Sequence, residues 1–367
     1  MEIVIVSSEF PPGPGGIGQH IYSVVTSLCD EYSVTIITNQ DYSDTQERAK
    51  FEAQLIGHRI SVVRFVDRTK LFAPARRIFQ ALSVIRKSNA KSVILSGQFP
   101  LWIAGFIKLS MPKRTIHAFV HGSEITRKNN WKDNLNKWSL SKIDWIYPVS
   151  NYTRSLLPQN LPTSKIRVIP NGLGDKLFEE VFQPSKSKIS LEGFPRILTV
   201  GNVSFRKGQH RVIKALSVLS LEYPEIHYHI VGLPTKKDEM LNLANQYGVR
   251  DRVTFHGRVT RDDLYQYYRS VDVFMMLSEN QSDGDVEGFG IAILEANAFG
   301  LPAIGAKGCG IEDALSKESG FLVDGNDPSE ILKALNLIFE RYESFHQGAR
   351  VWAKTHKWSD LVKKIKL

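Results

Sequence analysis

The stretch "IVIVSSEFPPGPGGIGQHIYSVVTSLCD", residues 3–30, places an apolar run, a glycine-rich loop and a helical pattern in succession. The run Ile3–Ser7 is typical of a buried strand, and Gln19–Asp30 is predicted to be helical. Between them, residues 13–18 read GPGGIG, which matches G-x-G-x-x-G. A glycine-rich turn from a strand into a helix lets backbone amides approach a phosphate group. The stretch therefore predicts an α/β fold whose first loop can bind the phosphate groups of a nucleotide.

The alternation of strands and helices continues along the first half of the chain. Its predicted helices include Ile21–Leu28 and Ala73–Lys87. Its predicted strands are Ile3–Ser7, Val34–Thr38, Ile60–Phe65, Ser92–Leu95, Ile116–Val120, Trp145–Val149 and Arg167–Ile169. Apolar strands that alternate with helices favour a parallel sheet covered on both faces.

A polar stretch, residues 183–193, is predicted to be a linker, and the α/β pattern then restarts. The predicted helices there include His210–Leu219 and Lys237–Tyr247. The predicted strands are Ile197–Val200, Ile226–Val231, Val253–Phe255, Val271–Met276, Ala303–Ile304 and Phe321–Val323. We expect two Rossmann-like α/β/α domains, 1–185 and 186–354. A C-terminal helix, about residues 355–367, is expected to pack back on the first domain.

Composition limits the class of protein. The 367 residues are 42% hydrophobic and 23% charged, as in globular proteins. Two distant cysteines, Cys29 and Cys309, exclude a disulfide framework and a thiolate zinc site and favour a reducing, cytoplasmic location. We expect no signal peptide, and no apolar run approaches the ~18 residues that span a bilayer.

The positive charge is confined to the first half of the chain. Residues 1–190 hold 25 Lys+Arg and 15 Asp+Glu, a net of +10, whereas residues 191–367 hold 22 and 23, a net of −1. The basic residues form three sets, which are Arg127, Lys128, Lys132, Lys137 and Lys142 among Trp131, Trp138 and Trp145; Arg76, Arg77, Arg86 and Lys87; and Lys113 and Arg114. Such sets favour peripheral contact with an anionic membrane over nucleic acid. The alternative is solvated helix faces with the tryptophans in the core.

The segment "SDGDVEGFGIAILEANAFGLPAIG", residues 282–305, carries two glutamates eight positions apart, Glu287 and Glu295. Gly288–Gly290 should form a tight turn and Ile291–Phe299 a helix whose first amides are open to an anion. Eight helical residues span at most ~12 Å, which suits a nucleotide sugar with one carboxylate on the sugar and the other on the ribose. The alternative is an amphipathic helix with solvent-facing glutamates.

Two further segments place charged or titratable residues after predicted strands. In "VGNVSFRKGQH", residues 200–210, Arg206 and Lys207 precede a helix and are suited to hold a diphosphate. In "FVHGSEI", residues 119–125, His121 ends an apolar run, so it should point outward from a strand end. A solvated basic loop and a structural histidine are the competing interpretations of these two segments.

Taken in order, these segments resemble retaining GT-B glycosyltransferases of family 4 over essentially the whole chain. The segments that carry the resemblance are FPPGPGGIGQHIYSV, VHGSEI, VSNYTRSLL, VIPNGL, VGNVSFRKG, FHGRV, VDVFMMLSE, DGDVEGFGIAILEA and GFLVDGNDP. The resemblance implies a GT-B fold, with two Rossmann-like domains whose parallel sheets face a central cleft. It also implies transfer of a hexose from GDP-mannose or a UDP-hexose to a lipid-linked or glycan acceptor in bacterial polysaccharide or glycolipid synthesis. No cofactor and no metal ion are expected.

The resemblance also implies roles for single residues. Catalysis would fall to His121, Arg206, Lys207 and Glu287. The donor-binding residues would be Gly15, Gly16, Asn202, Arg206, Lys207, His256, Gly257, Val259, Glu287, Gly288, Phe289, Gly290, Ile291 and Glu295. Many relatives carry arginine where this chain has Asn202, so the diphosphate is expected to depend on Arg206 and Lys207.

The sequence also leaves room for different enzymes and for a protein without catalytic activity. Asp283 and Asp285 form a D-x-D pattern like that of metal-dependent glycosyltransferases, but we interpret it as a loop or acceptor-side feature. An NAD-dependent oxidoreductase would need an acidic residue at the end of the second strand, and Asp41 comes late. A GT-B epimerase, a GT-B phosphorylase and a catalytically silent binding protein are compatible with the same segments.

Overall fold

A computed structural model describes residues 1–13, 15–39, 45–65, 73–126, 130–182 and 189–367. The chain forms two compact units. The first contains Met1–Gly174 together with Trp358–Leu367, and the second contains Asp175–Lys357. Each unit is built around one parallel sheet, as the sequence predicts, and each sheet has six strands.

The first unit has the strand order β3-β2-β1-β4-β5-β6. Its strands are β1 Glu2–Ser7, β2 Ser33–Thr38, β3 Ile60–Arg64, β4 Ser92–Ser96, β5 Thr115–Val120 and β6 Trp145–Pro148. Its helices before the second unit are α1 Gly16–Leu28, α2 Thr45–Ala53, α3 Ala73–Lys87, α4 Gln98–Ser110, α5 Ser123–Thr126, α6 Asn130–Lys142 and α7 Asn151–Ser155.

The second unit has the strand order β12-β11-β10-β7-β8-β9. Its strands are β7 Arg196–Val200, β8 His227–Val231, β9 Val253–Gly257, β10 Val273–Met276, β11 Ala303–Ala306 and β12 Gly320–Val323. Its helices are α8 Asp175–Phe182, α9 Gln209–Glu222, α10 Lys237–Gln246, α11 Arg261–Ser270, α12 Ile291–Ala298, α13 Pro328–Glu340 and α14 Tyr342–Lys354.

Both sheets follow the same doubly wound topology. The first and fourth strands of each unit are neighbours, β1 beside β4 and β7 beside β10. The chain leaves these central strands toward opposite edges of the sheet, so the loops at their carboxyl ends splay apart. Ligands of open α/β sheets bind in the crevice that this divergence creates. The topology therefore directs attention to the loops that follow β1, β4, β7 and β10.

The alternating side chains of β1 supply both faces of the first sheet. Val4 and Val6 belong to one buried cluster, and Ile3 and Ile5 belong to another. All four are at most 1% exposed. Successive residues of a strand point to opposite faces, so a strand covered on both sides is apolar throughout. This explains why the apolar run at the start of the chain is continuous.

One predicted strand is wrong. Arg167–Ile169 does not form a strand, although the amides of Arg167 and Ile169 donate to the carbonyls of Ile146 and Pro148 at 3.0 and 3.1 Å. The segment runs along the edge strand β6 with a single bridge, Ile146 to Ile166. Its apolar residues contact the sheet without extending it.

The first unit ends at Gly174, earlier than the predicted domain boundary at residue 185. The reason is that α8 packs within the second unit. The Glu180 carbonyl accepts a hydrogen bond from Arg269, and Phe178 lies 5.0 Å from the Lys357 ammonium. Within the predicted linker, residues 183–188 lie outside the described residues.

The C-terminal segment returns to the first unit through a short helix, α15 Trp358–Leu361, and a 3₁₀ turn, Val362–Lys364. The Trp358 amide donates to the Leu173 carbonyl at 3.0 Å, and the Lys366 amide donates to the Tyr147 hydroxyl at 3.0 Å. The Trp358 side chain is fully buried in the cluster that contains Ile3 and Ile5. The last ten residues therefore belong to the first unit, and Trp358, Leu361 and Ile365 lie in its core.

We expect Trp358→Ala to lower the free energy of unfolding of the first unit by about 3–5 kcal/mol, because it leaves a large cavity in a packed core. Hydrogen exchange at the amides of β1 and β2 measures this change. Val351→Ala is the control, since Val351 is 64% exposed and its loss should change stability by less than about 0.5 kcal/mol. Equal exchange rates in the two variants would contradict this packing.

Candidate active site

A tight turn after β7 presents Arg206 and Lys207. The Ser204 hydroxyl accepts a hydrogen bond from the Lys207 amide, and Phe205–Lys207 form one 3₁₀ turn. Gly208 then adopts a left-handed conformation with φ 77°, and a Cβ there would lie 1.9 Å from the Leu277 carbonyl oxygen. Only glycine fits this close approach, so the turn is held against the residue that follows β10.

A second loop, after β10, presents Glu287. The Gly310 amide donates to the Glu287 carbonyl at 2.9 Å, and a Cβ at Gly310 would lie 2.1 Å from the backbone of Gly288. Gly290 has φ 92° and is followed at once by α12, which confirms the predicted helix. Two backbones in direct contact therefore fix the position of the Glu287 side chain.

The two loops meet in a buried cluster of charges. The Glu287 carboxylate accepts hydrogen bonds from Arg206 Nη1 and Lys207 Nζ, the latter at 2.7 Å. The side chains of Glu287, Lys207 and Arg206 are 9%, 16% and 23% exposed. Burial alone would raise the pKa of Glu287, but the charges of Lys207 and Arg206 outweigh it and lower the pKa to about 2. The carboxylate is therefore ionised at neutral pH.

Asp285 is a fourth member of this cluster. Its Oδ2 atom lies 3.1 Å from Arg206 Nε, and its amide donates to the Asp283 carboxylate at 2.9 Å. In the sequence, Asp285 stands out only as part of a D-x-D pattern. The structure pairs its carboxylate with an arginine, and its position two residues before Glu287 was the available signal. The cluster thus balances two cations with two carboxylates.

Glu295 lies about one turn into α12, at a separate position. Its carboxylate accepts a hydrogen bond from the Tyr268 hydroxyl at 3.0 Å. Burial raises the pKa of Glu295, and the charges of Arg261 and Lys207 act in the opposite direction. Glu295 is therefore within electrostatic reach of Lys207.

Apart from Gly288–Ile291, which lie beside Glu287, the other predicted donor residues of the second unit are at the loop after β7 and at the end of β9. The Asn202 side chain is exposed, and its carbonyl accepts a hydrogen bond from Gln209 at 3.2 Å. His256 and Gly257 end β9, and Val259 follows them. The Gly257 carbonyl accepts from the Gly232 amide at 2.9 Å.

In the first unit, His121 follows β5 directly, as predicted. Its amide donates to the Glu124 carboxylate at 2.5 Å, and its Nε2 lies 2.9 Å from the Ser96 hydroxyl at the end of β4. Burial lowers the pKa of His121 well below its usual value, and the neighbouring His20 acts in the same direction. His121 is therefore a neutral imidazole held at the carboxyl ends of β4 and β5.

The glycine-rich loop after β1 is organised around a carboxylate that no sequence motif singles out. Glu9 Oε2 accepts a hydrogen bond from the Gly18 amide at 3.3 Å, in the first turn of α1. Gly15 has φ 152°, and a Cβ there would lie 1.9 Å from Glu9 Oε2. At Gly16, a Cβ would meet no described atom within 4 Å. The Glu9 carboxylate therefore lies at the start of α1 and accepts a hydrogen bond from one of its first amides.

The basic residues of the first unit are only partly described. Arg127 and Lys128 lie outside the described residues, as do the side chains of Trp131 and Lys132. Arg86, Lys87 and Lys113 are exposed, and Arg114 donates to the carbonyls of Ile85 and Ser88, so these residues share one edge of the unit. Among the residues that can be described, none of the helices combines the length and the apolar character that crossing a bilayer requires.

The aromatic residues of this region divide differently from the prediction. Trp138 packs on Phe106, with ring centroids 5.5 Å apart, and Trp145 packs on the core. The exposed apolar side chains are instead Phe79 on α3 and Leu109 on α4, at 74% and 70% exposure. The interpretation that places tryptophans in the core therefore applies to Trp145, whereas Trp138 is half-buried against Phe106.

Comparisons with known proteins cover almost the whole chain. It is 27% identical to a GDP-mannose-dependent alpha-(1-6)-phosphatidylinositol monomannoside mannosyltransferase of Mycolicibacterium smegmatis, over 96% of this chain and 93% of the relative. It is 26% identical to a GDP-mannose-dependent monoacylated alpha-(1-6)-phosphatidylinositol monomannoside mannosyltransferase of Corynebacterium glutamicum, over 90% and 87%. The structure of Anabaena HepE in complex with UDP and glucose aligns with a TM-score of 0.75 at 17% identity, over 99% and 98% of the two chains.

Two protein-family models match successive parts of the chain. Glycosyltransferase Family 4 matches residues 14–175. Glycosyl transferases group 1 matches residues 182–365, which is half of the chain. The chain therefore belongs to the group 1 glycosyltransferases and has the GT-B fold.

Proposed function

We propose that this glycosyltransferase moves a hexose from a nucleotide-diphosphate sugar to a lipid-linked or glycan acceptor, with retention of configuration and without a divalent metal. The observation that carries the proposal is the buried Arg206–Lys207–Glu287 cluster between β7 and β10. Its topological position is where ligands of doubly wound sheets bind. GDP-mannose is the favoured donor, because both mannosyltransferase relatives are named for it.

The cluster supplies the charge that the reaction needs. When the bond between sugar and phosphate breaks, negative charge develops on the departing diphosphate and positive charge on the sugar. Fixed cations in a site of low dielectric lower this barrier without reorganisation. In the proposal, Lys207 and Arg206 bind the diphosphate, and the fixed Glu287 carboxylate faces the sugar. These two cations do the work that a metal ion does in other glycosyltransferases.

Retention is proposed to follow from same-face substitution through a short-lived ion pair. Glu287, the carboxylate nearest the cations, is stabilised as an anion by two hydrogen-bonded positive charges, which makes it a poor nucleophile. His121, neutral and fixed at the end of β5, is assigned to the donor sugar. Glu295 is assigned to the ribose, and backbone groups of His256, Gly257 and Val259 to the base.

We further propose that the basic edge of the first unit contacts an anionic membrane, which suits a lipid-linked acceptor. Exposed Arg86, Lys87 and Lys113 supply the charge, and exposed Phe79 and Leu109 supply apolar anchors. Electrostatic attraction and shallow apolar insertion together give reversible binding at a surface.

Lys207→Ala should lower kcat/KM for donor turnover by about 10²–10³-fold, because it removes a fixed charge that stabilises the leaving group. Release of GDP from GDP-mannose measures this effect. Lys214→Ala is the matched control, since Lys214 is exposed on α9, and it should leave kcat/KM unchanged within about twofold. Equal effects of the two substitutions would contradict the role of Lys207.

Glu287→Gln should remove a stability contribution that depends on pH. The pKa of Glu287 is about 2 in the folded state and about 4.3 in an unfolded chain. The ionised carboxylate therefore stabilises the fold at pH values above about 4.3. We expect the wild type to exceed the variant by about 3 kcal/mol at pH 6, and the difference to shrink as the pH falls through 4 toward 2. Urea unfolding at several pH values tests this, with exposed Glu225→Gln as control. A difference that does not change with pH would contradict the buried ion pair.

Liposome sedimentation tests the membrane proposal. At low salt the protein should sediment with vesicles that contain phosphatidylglycerol and stay in solution with phosphatidylcholine alone. Replacing Arg86, Lys87 and Lys113 with glutamine should weaken binding to the anionic vesicles. Absence of binding to them at low salt would overturn the proposal.

A further inference from the structure

We propose that His20 is a positioning residue that acts through His121. This inference rests on the proposed role of His121 and concerns a residue that none of the sequence motifs assigns to the site. His20 lies in the first turns of α1, just after the glycine-rich loop, and is 1% exposed. Its imidazole lies against the His121 ring, with centroids 4.9 Å apart and planes at 89°.

The orientation of His20 is fixed by Asn171. His20 Nδ1 lies 2.6 Å from Asn171 Oδ1, and both residues are buried. Because the amide oxygen is an acceptor, Nδ1 carries the proton and Nε2 carries the lone pair. Burial lowers the pKa of His20 to about 4, with the Asn171 hydrogen bond acting in the opposite direction. His20 is therefore a neutral ring in one tautomer.

Further ring contacts hold His20 in place. Phe119 lies 4.6 Å and Trp358 lies 4.9 Å from it between ring centroids, at 71° and 88°. Phe119 is on β5, two residues before His121, and Trp358 starts the C-terminal helix. Tightly packed rings rarely rotate, so His20 presents a rigid face to His121.

The orientation of the His121 ring depends on this contact with His20. Its hydrogen bond to Ser96 fixes one ring atom, and the ring retains freedom to pivot about that atom. A perpendicular ring at 4.9 Å removes this freedom. A misplacement of about 1 Å at a reacting centre costs up to about 10²-fold in rate, so this restraint has kinetic consequences.

The imidazole of His20 carries a cost that an apolar side chain would avoid. Its Nε2 is buried and has no hydrogen-bond partner among the described residues. A buried unpaired polar atom destabilises a fold by about 1–3 kcal/mol. A buried unpaired atom of this kind calls for an explanation. The hydrogen bond between Nδ1 and Asn171 provides one, because it fixes the orientation of the ring, which an apolar side chain could not do.

The chain contains a matched control in His117. His117 is on β5, fully buried, and burial lowers its pKa to about 4, as for His20. Its Nδ1 is hydrogen-bonded to the Tyr147 hydroxyl at 3.1 Å, and its Nε2 is likewise unpaired among the described residues. Its ring stacks on Tyr147. Substituting His117 should therefore destabilise the fold about as much as substituting His20. It leaves the contact between His20 and His121 in place.

A double-mutant cycle tests the inference, with leucine chosen to retain apolar volume. In the wild-type background, His20→Leu should lower kcat for GDP release from GDP-mannose by about 10- to 30-fold and leave the Kd for GDP unchanged. In a His121→Ala background, His20→Leu should change kcat by less than about twofold, because a residue that acts through His121 has nothing left to position. Asn171→Ala should show the same dependence on His121.

His117→Leu should change kcat by less than about threefold in both backgrounds, with a loss of melting temperature similar to that of His20→Leu. Equal effects of His20→Leu with and without His121 would overturn the inference alone. If His121→Ala itself leaves kcat unchanged, the proposed role of His121 is wrong and the inference fails with it. If the wild type releases no GDP from GDP-mannose, the proposed donor and the inference are both contradicted.

Discussion

The contact of Glu287 with Arg206 and Lys207 is the interaction on which the second unit's site depends. Two cations side by side repel each other, and burial disfavours both charges, so the turn after β7 needs a compensating anion. Glu287 provides it from the loop after β10, at a distance of 2.7 Å from Lys207. Two glycines support this arrangement. Gly208 lets the turn after β7 approach the backbone of Leu277, and Gly310, after β11, lets its segment approach the backbone of Gly288 beside Glu287. Asp285 completes the charge balance on Arg206.

The carboxylate partners of Arg206 and Lys207 affect how a donor could bind. A diphosphate that binds Arg206 and Lys207 enters a site whose cations already have partners. Glu287 is 9% exposed and held through its backbone by Gly310, whereas the Asp285 side chain is 30% exposed. Asp285 is therefore the partner that can be displaced at lower cost. In the proposed mechanism, Glu287 holds Arg206 and Lys207 in place before a donor binds, which is the condition for electrostatic catalysis.

The strands and helices that depend only on short segments of the sequence were predicted correctly. Continuous apolar strands, glycines after them and a helix after Gly290 each follow from short segments, and these elements were found. The strand at Arg167–Ile169 was wrong, because apolar residues that cover a sheet edge have the same pattern as residues that extend it. Contacts between distant segments left no such pattern. The contacts of Asp285 with Arg206 and of His20 with Asn171 become visible only in the folded structure.

The glycine-rich loop and the charged cluster make different predictions about where the nucleotide binds. The Glu9 carboxylate already accepts a hydrogen bond from the first turn of α1, whereas Arg206 and Lys207 place two cations side by side after β7, paired with Glu287 and Asp285. A crystal structure with GDP bound decides between them most directly. We expect diphosphate oxygens within about 3.2 Å of Lys207 Nζ and the Arg206 guanidinium. A nucleotide whose phosphates lie instead on the amides of Gly15–Gly18, with Arg206 and Lys207 still paired only to Glu287 and Asp285, would show that the cationic cluster is not the donor site.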